Sequence, residues 1–188
     1  MRRGDKANRK RFCTWALEKW RSPGFRNGLL MTDEAAFCLD GTVNKHNCRI
    51  WGSENPHAVV KQEEGSPSLT VWCGVCARGV LGPFFFEERR RPVSVTAARY
   101  RRLFLGSVVP ALRKLRMPRS RVWYQQDGAS SHTARVVLAG LQEKFPGRVI
   151  SKGGNVPWPP RSPDLSINDF FLWGHVKNVY YSSPVRSS

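Results

Sequence analysis

Residues 121–145 read RVWYQQDGASSHTARVVLAGLQEKF, and the order of residue types in this stretch decides the architecture. Arg121–Gln126 sets Val, Trp and Tyr in a pattern that predicts a strand, and it stops at the turn dipeptide Asp127-Gly128. Thr133–Phe145 then switches to helical spacing, is closed by Pro146-Gly147, and is followed by a further short strand over Arg148–Ser151. Strand, helix and strand in quick succession predict a sheet with a helix packed on its face.

Upstream of this unit the pattern is a meander. Gly28–Phe37 predicts a strand, Asp40-Gly41 a turn, Arg49–Gly52 another strand, and Ser53–Ser68, broken by Pro56, Gly65 and Pro67, a loop. Leu69–Cys76 and Val80–Phe86 flank Ala77-Arg78-Gly79 and read as a hairpin. Before it, residues 8–20 place Phe12, Trp15, Ala16 and Trp20 at near-helical spacing, and Ser22-Pro23-Gly24 ends the pattern. From Thr96 onward Tyr100, Leu103, Phe104, Val108, Leu112 and Leu115 line one side of a helix with a basic opposite side, kinked where Pro110 removes a backbone bond. Leu165–Lys177 predicts a closing helix. The fold class is therefore α/β, a mixed sheet flanked by helices, with 1–27 a basic helix and linker and 28–188 the main domain.

Composition says what such a domain meets. The chain has 188 residues, and 31 Lys plus Arg less 14 Asp plus Glu leave a net charge of +17. Residues 1–30 carry nine Lys/Arg against two acids, and Arg89 to Arg121 carry eleven against none. A polyanion is the expected partner, and a phosphate backbone supplies the counter-charge. The candidate contacts are Arg89, Arg90, Arg91, Arg99, Arg101, Arg102, Arg113, Lys114 and His132. No apolar stretch approaches the ~18 residues of a membrane span, and the basic N-terminus has no apolar segment behind it to act as an export signal. Five cysteines at uneven spacing fit reduced thiols and a cytosolic or nuclear compartment.

In a chain poor in acids, an Asp within an apolar segment is costly unless it is paired, ligated or hydrogen-bonded. Asp33 lies in a strand, where alternation sends Glu34 to the opposite face. Asp127 ends a strand, and Asp169 sits in the last helix among bulky neighbours. Each has a structural use: Asp33 can cap a turn, Asp127 can begin one, and Asp169 can pair with an arginine. Together they suggest a cluster for two hard divalent cations, which prefer oxygen ligands and complete their shells with water and phosphate.

Thr32-Asp33-Glu34, the block from Gln126 to Ala134 (QDGASSHTA) and the block from Pro159 to Gly174 (PPRSPDLSINDFFLWG) resemble the three catalytic blocks of mariner-type DDE/D transposases. The resemblance implies a ribonuclease H-like fold, paired Mg²⁺ or Mn²⁺ ions, and DNA cleavage followed by strand transfer. It makes Asp33, Asp127 and Asp169 the metal ligands and leaves Asp164 to the Ser-Pro-Asp-Leu motif, where it is expected to cap the last helix. The expected location is nuclear, and a homodimer is left open. Family members carry an N-terminal pair of helix-turn-helix domains and extend further at the C-terminus, so the expected origin is a shortened derivative of a transposable element. The alternative is a DNA-binding protein that keeps the fold without turnover.

Other signals carry less. Cys73 and Cys76 form a C-x₂-C pair in a strand context unsuited to thioredoxin chemistry, and Cys38 and Cys48 complete only an irregular zinc spacing. His132 can touch DNA, orient a metal-bound group or sit in a helix cap. His175 reads as structural, and Trp51, Trp158 and Trp173 read as core more readily than as base-stacking platforms.

Overall fold

The computed structural model describes residues 4–38 and 68–182. The expected turn at Asp40-Gly41, the strand at Arg49–Gly52 and nearly all of the loop that follows, with Cys48 and Trp51, lie outside the described residues.

The chain begins with α1 (Asp5–Trp20) and α2 (Pro23–Gly28). Proline in the first turn of α2 lacks only an N–H that a helix start leaves unpaired, so the expected stop becomes a second short helix. Then come β1 (Leu29–Cys38), β2 (Ser68–Cys76) and β3 (Gly79–Phe85), a small ribbon of β4 (Glu87–Glu88) and β5 (Arg91–Pro92), α3 (Ala97–Leu103) and α4 (Val109–Lys114). The second half holds β6 (Trp123–Gln125), α5 (Ser130–Thr133), α6 (Arg135–Lys144), β7 (Val149–Ile150) and α7 (Trp173–Tyr181). The main sheet has the order β3-β2-β1-β6-β7. β1 pairs antiparallel with β2 from Leu30↔Cys76 to Cys38↔Ser68, and parallel with β6 from Leu29↔Trp123 to Met31↔Gln125. The expected mixed sheet is thus present, with its antiparallel and parallel halves meeting at β1.

Thr96 starts α3 by accepting the Arg99 amide at 3.3 Å. The predicted kink at Pro110 takes a specific form: the helix widens to a π-turn over Phe104–Val108, and Pro110 falls in the first turn of α4, where its missing N–H costs little. The inner face of the sheet supplies Leu30, Trp72 and Tyr124 to a core shared with Tyr100, Phe104, Val108, Leu112, Val137, Leu141 and Phe145. Tyr124 stacks on Phe145 with centroids 5.4 Å apart.

The outer face is covered in two separate patches. Phe25, Leu29, Ile150 and Trp158 pack with Phe12, Trp15 and Met31 under α1 and α2, and Ala35, Val71 and Cys73 pack with Leu172 and Trp173 of the C-terminal helix. Along β1, Met31 belongs to the first patch and Ala35 to the second, so Asp33 opens into the gap between them. Trp158 and Trp173 are 7% and 3% exposed, core residues as expected.

α2 approaches the segment before β6 so closely that a Cβ at Gly28 would lie 2.1 Å from the Arg121 carbonyl oxygen. Gly28→Ala is therefore expected to destabilise the fold by about 1–3 kcal/mol, the usual cost of forced overpacking. Urea denaturation measures this, and an unchanged midpoint would contradict the packing described.

Candidate active site

The last parallel pair between β1 and β6 is Met31↔Gln125, and Asp33 and Asp127 each stand two residues further on. Side chains alternate along a strand, so both carboxylates leave on the outer face just past the carboxyl end of the parallel pairing, although β1 itself runs on to Cys38. The Thr32 hydroxyl donates to the Gln125 carbonyl at 2.7 Å and ties the two strands together at the point of exit.

Asp169 arrives from the C-terminal segment, in a π-turn over Asn168–Leu172. That turn is pinned to the sheet: Asn168 Nδ2 donates to the Cys73 carbonyl at 3.0 Å, and Cys73 is the cross-strand partner of Asp33. Four residues past Asp169, Trp173 Nε1 donates to Asp33 Oδ2 at 2.9 Å.

Asp169 links the other two acids electrostatically. Burial, and then the charge of Asp169, push the Asp33 carboxyl well above its ordinary range, even though the Trp173 hydrogen bond favours its ionised form. Asp169 is raised by burial and by the charge of Asp127. Asp127 goes the other way. Burial opposes its ionisation, but the hydrogen bond and charge of His132 outweigh burial and hold the carboxyl below the usual range.

His132 is the hinge of the arrangement. Its Nδ1 lies 2.5 Å from Asp127 Oδ1, and its Nε2 lies 3.1 Å from Glu34 Oε2, an ion-pair distance outside good hydrogen-bond alignment. Burial disfavours the imidazolium, yet the two carboxylates prevail and push the His132 pKa up to about 10. With only 2% of the residue exposed, His132 has no free edge for DNA, which corrects its expected place among the phosphate contacts.

No family model matches the sequence, and no curated protein matches it. Solved structures do match. The Mos1 transposase paired-end complex with left transposon end aligns with a TM-score of 0.69 at 22% identity, over 95% of this chain and 49% of that one. A pre-cleavage Mos1 transpososome aligns at 0.71 and 18% identity, over 100% and 52%. The catalytic domain of Mos1 mariner transposase alone aligns at 0.67 and 20% identity, over 100% and 76%. The fold is shared with the catalytic domain of Mos1 mariner transposase. It is ribonuclease H-like, as the motif resemblance implied, and the chain spans about half the length of the Mos1 chains in the DNA complexes.

Within this fold the basic candidates take a different place from the acids. α3 and α4 pack on the inner face through Tyr100, Phe104, Val108 and Leu112, so Arg99, Arg101, Arg102, Arg113 and Lys114 belong to the layer behind the sheet. Glu88 takes up part of their charge, 3.2 Å from Arg99 Nε and 3.3 Å from Arg102 Nη1. Arg89 and Arg90 form the tip of the β4–β5 ribbon, both with left-handed backbone, and lead into Arg91. Among the described residues Lys152 is a cation that comes near Asp127, its stem lying against Gly128: a Cβ there would be 3.5 Å from Lys152 Cδ. No spacing rule links positions 128 and 152, so the sequence carries no signal for it. Trp173 did leave one, being one helical turn past Asp169.

Asp164 also departs from expectation. It lies in a single turn, Pro163–Leu165, and Ser166 is extended, so the helical segment bearing Asp169 starts only at Asn168. Arg9 of α1 grips the Asp164 carboxylate with both Nη atoms, at 2.8 and 2.5 Å, and donates to Ser162 Oγ at 2.8 Å. Arg161, next in this loop, forms a second two-pronged ion pair with buried Asp5. Cys73 is buried and its thiol is pushed up to about 11, which agrees with setting redox chemistry aside. His175 is exposed and stacks on Phe171.

Two measurements follow from these charges. A carboxyl raised in the folded state costs stability as pH rises from its ordinary value through its folded one, and the cost persists above. Asp33→Asn is therefore expected to raise Tm at pH 7 without added metal, by ~2–4 °C per kcal/mol relieved; a lower Tm contradicts this. His132 has the opposite sign. Its contribution is complete below pH 6.5 and is lost as pH climbs through about 10. The Tm gap between the parent chain and His132→Ala should thus narrow from pH 6.5 to 10, and a constant gap excludes a charged His132.

Proposed function

We propose that this chain is the catalytic domain of a transposase-type enzyme that cleaves DNA phosphodiesters and joins the resulting ends, with Asp33, Asp127 and Asp169 holding divalent cations. The observation that supports this reading most is that Asp33 and Asp127 stand two residues past the last parallel pair of β1 and β6, while Trp173, one turn past Asp169, is hydrogen-bonded to Asp33. Mos1 structures of the same fold are described as paired-end complexes with Mn and with Mg and as a strand transfer complex, which supports the reading.

The donor set fits a hard cation. Among the described residues neither Asp33 nor Asp169 has a salt bridge to Lys or Arg, so their mutual repulsion is offset only in part, by hydrogen bonds such as those from Trp173 and Ser166. Nor, among the described residues, do three or more His, Cys, Asp or Glu side chains form a ready metal cage. Magnesium does not require one: it is held by one or two carboxylates, keeps several waters and takes its remaining oxygens from phosphate. When bound, a pair of such ions activates the attacking oxygen and stabilises the leaving one in an in-line displacement at phosphorus.

The protein's own contribution is placement. Trp173 fixes the Asp33 carboxylate by holding Oδ2, the Ala129 amide holds Asp127 Oδ1 at 3.0 Å, and the Asn168 bond to β2 sets the height of Asp169 over the sheet. The apolar patches on either side of Asp33 limit water and strengthen charge interactions within the gap. Lys152, whose stem lies against Gly128, and exposed Arg11 of α1, which packs on the outer face, suit the phosphates flanking the reacting one. A DNA substrate and a charge of +17 support a nuclear site of action, and the joining of two ends supports a homodimer.

Supercoiled plasmid incubated with the protein and Mg²⁺ or Mn²⁺ tests this. Nicking should require the metal and fall to background in Asp127→Asn, with DNA affinity retained and declining steeply with salt. Tight, salt-sensitive binding with no metal-dependent nicking would establish the non-catalytic alternative instead.

A further inference from the structure

Asp127 presents only one oxygen to its surroundings. Its Oδ1 is already engaged twice, by His132 Nδ1 at 2.5 Å and by the Ala129 amide at 3.0 Å, while 49% of the side chain remains exposed. What fixes this orientation is a ring that cannot turn. The His132 side chain is 3% exposed and tilts against Tyr100 with centroids 4.2 Å apart. The carbonyl of His132 accepts from Gln126 Nε2 at 3.0 Å, and Gln126 is itself locked by Tyr100 and Ser151. The other ring nitrogen faces Glu34 Oε2 at 3.1 Å.

Glu34 and Asp33 are consecutive on β1 and leave it on opposite faces. Asp33 reaches the site from the outer face, and Glu34 reaches the same site from within the core, through the imidazole. Glu34 is an expensive residue for the fold alone: its Oε1 is buried with no hydrogen-bond partner, a cost that an apolar side chain at this position would not incur. The expense is intelligible if the residue acts on something beyond packing.

We propose that Glu34 and His132 form a positioning pair that holds the Asp127 carboxylate with Oδ1 turned inward and Oδ2 offered as a single-oxygen ligand to a divalent cation. The inference rests on the metal-dependent reading above and adds what that reading lacks, a reason for Asp127 to point one way. Neither residue touches substrate or cation. Both act through Asp127, as outer hydrogen-bond partners orient metal ligands elsewhere.

Mn²⁺ binding, read by loss of the free-ion electron paramagnetic resonance signal at fixed pH, separates this from a structural role. The variants are Glu34→Gln, His132→Phe, His132→Asn and Asp127→Asn, each checked for a cooperative thermal transition. His132→Phe fills the space without a donor and should weaken Mn²⁺ binding by about 10–100-fold. Glu34→Gln should weaken it in the same direction. His132→Asn keeps an N–H near the Nδ1 position and should recover most of the affinity lost in His132→Phe. In plasmid nicking, Glu34→Gln should need more Mn²⁺ for half-maximal rate while its KM for DNA is unchanged. If Glu34→Gln and His132→Phe lose thermal stability but bind Mn²⁺ like the parent chain, the positioning pair is overturned while the metal site stands. If the parent chain binds no Mn²⁺, or Asp127→Asn binds it equally well, the metal-site reading falls and the pair falls with it.

Discussion

The parallel pairing of β1 with β6 is the constraint on which the candidate site depends, because it brings residues 33 and 127 to the same height on neighbouring strands. Parallel strands cannot be joined by a tight turn, so the chain between them must leave the sheet and return. The β2–β3 hairpin and the α3–α4 layer occupy that excursion, and they seal the inner face with Trp72, Tyr100 and Phe104. The acids are adjacent because the core closes behind them. With that closure in place, the Thr32 hydroxyl on the Gln125 carbonyl is enough to hold the strands in register at their exit.

Much of this was legible from local pattern. Alternation in Gly28–Phe37, the hairpin of 69–86 and the strand-to-helix switch at Asp127-Gly128 all reflect short-range rules, and each produced the element it predicts. The spacing of the acids said nothing about their distance; their apolar settings in an acid-poor chain suggested a cluster, and the motif resemblance gave the same three residues. Element ends were less legible where tertiary contacts compete with propensity. The segment expected to run as one helix from Leu165 instead breaks at Ser166, since Arg9 draws Asp164 toward α1 and Asn168 anchors the next turn to Cys73. Neither partner is near in sequence.

The charges show the same limit. Counting arginines between 89 and 121 correctly describes a basic segment, but charge density in sequence carries no information about which face of a sheet it will cover. Glu88 lies just outside the acid-free run and folds back onto Arg99 and Arg102. Glu34 was set aside by the alternation rule, which is right about the direction of its side chain. The rule cannot see that a histidine of α5 will carry its influence across the strand.

The two ion pairs between α1 and the loop at 161–164 have a consequence for how the molecule can be divided. Arg9 and Asp5 bind the turn from which the Asp169 segment departs, and Phe12 and Trp15 cover the apolar patch around Trp158. Trimming the chain back to the start of β1 would bare that patch and release the turn together. The smallest piece that can carry this site therefore starts no later than the first helix, and that basic helix is a wall of the candidate site, not a handle attached to it.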